Sequence, residues 1–239
     1  MEVHAHSHTA RKKWTHYFWE FLMLFLAVFC GFLAENQREH IVEHQREKKF
    51  ARRLLSDLRE DSVFFQKRVF QLQERKKAHE LFLKTLTAPV RATDSEVLLN
   101  FFPLLRVYAA EIITATYSQM KTSGSLRYIQ NDDLTTALQK YYEVQLPKTS
   151  REPEDVKKFF LDHITPYMAK HFRFQDLNSD SVKKINHVIL DRTARSDQEL
   201  INLMGMYDSA CGAILERYKE SLNQAIGLIE LIKEEYHLK

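Results

Sequence analysis

Glycine and proline are scarce in this chain, with only five of each in 239 residues. Tight turns depend on these residues, so a fold of many short strands joined by turns is excluded. Leu, Glu, Lys, Arg and Gln, which favour helices, are abundant instead. The composition therefore predicts an all-α protein with long helices.

Cysteine and an excess of one charge are also lacking. Cys30 lies inside an apolar segment, so we expect no disulfide between it and Cys211, the only other cysteine. The 35 basic residues are interleaved with 32 acidic ones, which leaves a net charge of +3. Without a basic face, nucleic acid is not expected as a partner.

One long apolar segment lies near the N-terminus. Residues 21–34 carry no charge, and aromatic residues extend the apolar stretch to 17–34, with Glu20 as its one interruption. That length just spans a bilayer core, and the aromatic residues at its start match the belt found at membrane interfaces. We predict a transmembrane helix over 17–34. Together with Trp14, which precedes it at the interface, the membrane-anchor residues are Tyr17, Trp19, Phe21, Leu22, Leu24, Leu26, Val28, Phe32 and Leu33.

Two other structures share this pattern, a buried core helix and a cleaved signal peptide. Phe32 and Ala34 make a poor cleavage site, so we expect the segment to be retained as an anchor. Basic residues flank both of its ends. Long domains translocate largely regardless of charge, and a short basic tail before a first helix usually stays inside. We therefore expect a cytoplasmic N-terminus and an extracytoplasmic domain.

The chain around the anchor divides into three parts. Residues 1–16 form a polar basic tail, 35–50 a charged helical stalk, and 51–239 a helical bundle domain. The chain has neither Gly nor Pro from Glu35 to Thr87, so the transmembrane helix should continue into a long helix that Pro89 ends. Its apolar positions alternate at three and four residues, which predicts a coiled-coil-like seam through Leu55, Leu58, Phe65, Val69 and Leu72.

Capping patterns and prolines mark the later elements. They predict a helix start at Thr93 with Glu96, a break at Pro103, a helix from Asn131 to about 144, a loop over 147–153, a helix from Glu154 bent near Pro166, a polar connection over 173–181, and a final helix from Ser196 with Glu199 to Tyr236. The final helix carries an apolar stripe that should pack antiparallel on the long helix after the anchor. That stripe comprises Leu200, Leu203, Tyr207, Ala210, Ile214, Tyr218, Leu222, Ala225, Ile229, Ile232 and Tyr236.

The sharpest chemical motif is His40, Glu43 and His44, which match the H-x-x-E-H pattern of zinc peptidases. Their segment is charged on every side and offers no apolar cleft, so a solvated stalk is the favoured interpretation. The tail histidines His4, His6 and His8 could chelate a metal ion adventitiously but have no rigid support. No catalytic residue, enzyme activity or cofactor is predicted.

Three stretches carry a family resemblance. They are FLAENQREH, RRLLSDLRED, and residues 115–143, in which the matching positions are Ser123, Gly124, Ile129, Asn131, Leu134, Leu138, Tyr141 and Tyr142. Together they resemble a family of bacterial single-pass membrane proteins, typical of Bacteroidota genomes, that is defined only as a domain of unknown function. The resemblance implies a helical domain tethered to the bacterial inner membrane, and it implies no activity.

Two functions follow as hypotheses. The first is a non-enzymatic scaffold, anchored in the lipid bilayer, that self-associates or binds a protein partner through its long helices. The alternative is a membrane-tethered sensor that holds a small ligand in a pocket between helices.

Overall fold

The computed structural model describes residues 14–105, 111–172 and 193–238, and these ranges contain helices and no β-strand. The all-α prediction is confirmed. Seven α-helices occur in these ranges: α1 Trp14–Thr87, α2 Asp94–Phe101, α3 Ala115–Thr122, α4 Asp132–Gln139, α5 Leu146–Phe159, α6 Thr165–His171 and α7 Ala194–Tyr236. Short 3-10 helices follow α2 at Phe102–Leu105 and α3 at Ser125–Tyr128.

The chain forms two compact units, Met1–Lys49 and Phe50–Lys239. In the described part of the first unit, α1 carries one apolar segment that is long enough to cross a membrane, and none of that segment is buried within the chain. Of the ten predicted anchor residues, nine are exposed and Leu22 is half-buried. The exposure does not fit a buried core helix and is compatible with a single membrane span.

The second unit is built on two long helices. From Phe50 onward, α1 packs antiparallel against α7, because Phe65 lies 5.6 Å from Tyr218 between ring centroids while Arg75 reaches Asp208. The predicted seam of α1 and the predicted stripe of α7 are both buried or half-buried, and Phe65 of the seam contacts Tyr218 of the stripe. The antiparallel pairing predicted from the two apolar patterns is therefore confirmed.

The predicted caps hold at three places. Thr93 and Glu96 form a capping box at the start of α2. The side chain of Asn131 accepts a hydrogen bond from the backbone N–H of Leu134 and caps α4. Gly124, with a φ of 68°, adopts the left-handed conformation between α3 and the following 3-10 helix. Pro103 lies in the 3-10 helix that follows α2, so the predicted break there is confirmed too.

The predicted loop over 147–153 is wrong. The chain is helical from Asp132 to His171, because π-helical turns at Lys140–Gln145 and Phe160–Ile164 link α4, α5 and α6. Each π turn closes with an N–H that bonds five residues back, and a proline follows immediately, Pro147 after the first turn and Pro166 after the second. The wider turn accommodates a residue that cannot donate in the ordinary helical pattern.

Contacts with α7 stabilise this uninterrupted run. Gln145 donates from Nε2 to the hydroxyl of Ser221 at 3.1 Å, and the Thr149 and Ser221 hydroxyls lie 2.8 Å apart. Buried polar groups of this kind require partners. The tertiary partners of Gln145 and Thr149 thus favour helix at a place where proline alone predicted a loop.

The last helix begins earlier than predicted. Because α7 starts at Ala194, Ser196 lies inside the helix and is not its N-cap. The N–H of Asp197 bonds the carbonyl of Thr193, so the first turn begins three residues before the predicted one. The Ser196 side chain and the predicted polar connection over 173–181 lie outside the described residues.

Candidate functional site

A cleft of about 320 Å³ lies between α1 and α7 in the second unit. Apolar and charged side chains both contribute to its wall, together with a glycine that leaves room for a ligand. The lining residues are Leu72, Arg75, Lys76, Asp208, Ser209, Cys211, Gly212, Leu215 and Glu216. A Cβ added to Gly212 would meet no atom within 4 Å. The volume suits a small molecule at the lower end of the range of ligand pockets.

A buried ion pair forms one wall of this cleft. The Arg75 side chain is 3% exposed, and its Nη1 lies 3.0 Å from Oδ1 of Asp208. Its Nε donates to the carbonyl of Leu104 at 3.2 Å, and the guanidinium lies 4.6 Å from the ring centroid of Tyr207. Three contacts of this kind fix the orientation of a planar guanidinium.

Asp208 joins a second buried group, since its Oδ2 lies 3.1 Å from Nδ1 of His79. Burial raises the pKa of Asp208, but hydrogen bonds and charges from His79 and Arg75 outweigh that effect and hold the pKa below its ordinary value. Burial raises the pKa of the neighbouring Cys211 thiol to about 11. The thiol is therefore protonated at neutral pH and is a poor nucleophile.

Residues from the stretch RRLLSDLRED and from the region around α3 and the first π turn meet elsewhere in the same unit. Asp57 and Asp61 of α1 accept hydrogen bonds from the backbone N–H groups of Thr116 and Ile113 at 3.3 and 3.0 Å. The hydroxyl of Tyr141 donates to the second oxygen of Asp61 at 3.1 Å. The acidic pair thus ties the start of α3 and the first π turn to α1.

Two more tyrosines, Tyr117 and Tyr142, lie beside Asp57, Asp61 and Tyr141. The rings of Tyr117 and Tyr142 stack with centroids 4.4 Å apart, and the hydroxyl of Tyr117 donates to Glu143, which also pairs with Lys121 at 3.0 Å. Burial raises the pKa of Asp61 to about 6, although its hydrogen bonds from Ile113 and Tyr141 oppose the rise. A carboxyl with that pKa changes charge near neutral pH.

The outer face of α1 carries a separate surface, which we call the outer stripe. It consists of Val63, Phe70 and Leu81, whose exposed fractions are 66%, 62% and 54%. At roughly 100° per residue these three positions lie on one line along the helix. The line is opposite the buried residues Leu54 and Leu72. Charged residues share this face, because Glu74 lies about 20° from the line and Lys67 and Lys77 about 40° from it, and all three are exposed.

The predicted motif residues of 115–143 have different structural roles. Five of them are buried in the core, namely Ile129, Leu134, Leu138, Tyr141 and Tyr142. The Ser123 hydroxyl lies 2.7 Å from that of Ser125, next to Gly124, and Asn131 also donates to Glu235 at 2.6 Å. These residues are accounted for by turns, caps and packing.

The weak metal candidates are not brought together with further ligands. His40 and His44 are exposed, and Nδ1 of His44 lies 3.3 Å from Glu47. Within the described ranges, no group of three His, Cys, Asp or Glu side chains could hold a metal ion. The tail histidines His4, His6 and His8 lie outside those ranges.

Sequence reasoning missed Arg75, His79 and Asp208. Arg75 and His79 occupy the buried face of α1 at helical spacing from Leu72, and Asp208 adjoins a predicted stripe residue, Tyr207. Charged residues at positions where the helical spacing predicts burial could have indicated this site, because a buried charge needs a partner. The spacing could not identify Asp208 as that partner, because Asp208 lies more than a hundred residues away in the sequence.

The chain matches no protein-family model, no curated protein and no solved structure.

Proposed function

We propose that this chain is a non-enzymatic scaffold that is anchored in a membrane and binds a protein partner through its long helices. The observation that carries the proposal is the outer stripe of α1. A helix needs one apolar face to pack in its own domain, whereas α1 also leaves three apolar side chains exposed to solvent among the described residues, on the side opposite its buried face. Apolar side chains of this kind form the buried core of many protein interfaces.

The remaining features support the same proposal. The exposed apolar segment of α1 fits a bilayer anchor, with the N-terminus in the cytoplasm and the domain outside the inner membrane of a bacterium. The one thiol near the cleft, Cys211, is protonated at neutral pH. A protein built in this way holds a partner at the membrane surface.

The test is site-specific photocrosslinking in the membranes of cells that make the protein. A photoreactive residue replaces Phe70 in the full chain, and a matched control carries it at Leu161, which is 53% exposed. We expect discrete crosslinked protein products from position 70 and none from position 161. Products that are absent at both positions, or identical at both, would overturn the proposal.

The cleft supports a second candidate, a membrane-tethered module that binds a small ligand. The lining charges balance, because Asp208 and Glu216 accompany Arg75 and Lys76, but the buried Nη2 of Arg75 has no hydrogen-bond partner among the described residues and could donate to a small carboxylate. We expect glutamate or succinate to raise the melting temperature of the native chain and to have no effect on Gly212→Phe, in which the ring occupies the open space. If the ligands shift both proteins equally, binding takes place outside the cleft.

A further inference from the structure

We propose that the cleft between α1 and α7 binds an ω-amino acid, a short chain with a carboxylate at one end and an ammonium group at the other. The inference rests on the second candidate function and specifies the ligand of that module. It depends on the order of the charged residues along the cleft, with basic groups towards one end and an acidic group at the other.

Two contacts fix the register of the antiparallel helices that form the cleft. Arg75 of α1 pairs with Asp208 of α7, and Phe65 lies against Tyr218, so the contacts are ten residues apart on each helix. Glu216 follows Asp208 by eight residues, which is about 12 Å along the helix axis. Arg75 and Glu216 both line the cleft and therefore mark two separate ends of it.

The end of the cleft at Arg75 suits a carboxylate. Asp208 pairs with Nη1 of the guanidinium, but the buried Nη2 has no hydrogen-bond partner among the described residues. Lys76 follows Arg75 in the cleft wall and is exposed, so its charge can reach a ligand. A carboxylate at this end would supply the partner that Nη2 lacks, and hydrogen bonds between charged groups are stronger than those between neutral ones.

The far end of the cleft suits an ammonium group. Glu216 is exposed there, and its Oε1 lies 2.7 Å from Nζ of Lys219. That pair uses one carboxylate oxygen and leaves Oε2 to accept from a ligand. Because an exposed ion pair contributes little to stability, an ammonium group can share this carboxylate at small cost.

The wall between the two ends is largely apolar. Leu72 of α1 lies there with Cys211 and Leu215 of α7, and Gly212 leaves open space beside them. Hydrogen bonds of roughly 3 Å at each end leave about 6 Å between the charged groups of the ligand. A chain of about four methylene groups matches this length. An α-amino acid carries both charges on one carbon and cannot reach both ends.

The test is isothermal titration calorimetry on the full chain in detergent micelles, with δ-aminovalerate as the probe. Norvaline is a matched control ligand, because it has the same atoms but carries its amine on the carbon beside the carboxylate. Valerate, the second control, lacks the amine. We expect δ-aminovalerate to bind about ten times more tightly than either control. Equal affinity for δ-aminovalerate and either control would overturn the inference.

Removal of single charges tests each end of the cleft. Glu216→Gln should weaken binding of δ-aminovalerate about tenfold and leave valerate unchanged, because only the amine meets Glu216. Lys76→Gln should weaken both ligands by a similar factor, because both carry the carboxylate. The control Glu230→Gln changes an exposed residue of α7 outside the cleft and should affect neither ligand. Full affinity of Glu216→Gln for δ-aminovalerate would also overturn the inference.

The inference and the second candidate function fail in different ways. If valerate binds the native chain as tightly as δ-aminovalerate, and Gly212→Phe abolishes binding of both, the ligand class is wrong and the carboxylate-binding module stands. If neither δ-aminovalerate nor succinate binds the native chain, both are wrong.

Discussion

At the scale of single residues, the second unit is notable for carboxylates placed in its core. Asp61 is fully buried, and Asp208 is largely buried beside Arg75 and His79. The sequence could place Asp61 on a helix, but it could not show that the N–H of Ile113 and the hydroxyl of Tyr141 would be its partners. Those contacts join positions 52 and 80 residues apart. Periodicity within one helix carries no information about such distant pairs.

Asp61 makes stability depend on pH in a direction that can be measured. Its pKa is raised from 3.8 to about 6, so the folded chain binds a proton that the unfolded chain releases. The stabilisation from this proton is present below about pH 4 and is lost as the pH rises through 6. Relative to Asp61→Asn, we expect the wild-type free energy of unfolding to fall by about 1 to 2 kcal/mol from pH 4 to pH 7, allowing for solvent screening.

Thermal unfolding of both proteins in detergent micelles, followed by circular dichroism across this pH range, measures the difference. Acid also protonates carboxyls of lowered pKa, such as Asp208, but these are present in both proteins and cancel in the comparison. A constant difference between wild type and Asp61→Asn would mean that Asp61 does not titrate in this range.

At the scale of elements, the caps at Thr93, Gly124 and Asn131 and the breaks at Pro89 and Pro103 were predicted correctly, whereas the cap at Ser196 and the loop over 147–153 were not. Thr93, Gly124 and Asn131 act through atoms within four residues, so their patterns are readable without the fold. Pro147 led to the wrong prediction of a loop, because the helix continues there through the preceding π turn and through contacts with α7. No local rule predicts that a helix will widen by one residue to accommodate a proline.

Two glycines should respond to alanine with opposite signs. Gly124→Ala adds no clash but forces alanine into the left-handed region, so we expect a loss of about 1 kcal/mol. Gly205 lies inside α7 and also has no atom within 4 Å of an added Cβ. Gly205→Ala should therefore stabilise the chain by about 0.5 to 1 kcal/mol through its better helix propensity.

Urea unfolding of both variants and of the wild type in one detergent provides the comparison. A stabilised Gly124→Ala would mean that the turn before the 3-10 helix does not require the left-handed conformation. A destabilised Gly205→Ala would indicate that a neighbour approaches α7 more closely than the open space around Gly205 suggests.

At the scale of the whole molecule, the sequence predicted the all-α class, the long first and last helices and the antiparallel contact between them. It did so because apolar periodicity over many turns is a strong signal that needs no knowledge of partners. The position of the cleft and the outer stripe were not predicted, because both are defined by what is left uncovered after the helices pack. Exposure of this kind is a property of the assembled unit.

Membrane attachment should depend on the exposed apolar part of α1. We expect the wild-type chain to resist alkaline extraction, and Leu24→Lys with Val28→Lys to release it, because each lysine at the centre of a span costs about 2.5 to 3.5 kcal/mol. The matched control is Ile41→Lys, which changes an exposed residue of the predicted stalk. Release of the wild type, or retention of the double variant, would contradict the anchor.

Orientation is measured on the same material with a reporter fused after Lys239 that is active only outside the cytoplasm. An active reporter is expected. An inactive one would place the domain in the cytoplasm and reverse the proposed topology, and a chain shortened at its N-terminus would indicate cleavage as a signal peptide.

The antiparallel pairing of α1 with α7 also has a consequence for biosynthesis. The seam of α1 leaves the ribosome early, whereas the helix that covers it is the last to be made. At about 5 to 20 residues per second, roughly 10 to 30 s pass between the two. During that interval Leu58, Phe65 and Leu72 have no α7 to pack against. The nascent chain is therefore expected to be a client for chaperones, and translation that stops before residue 194 should leave a product marked for proteolysis.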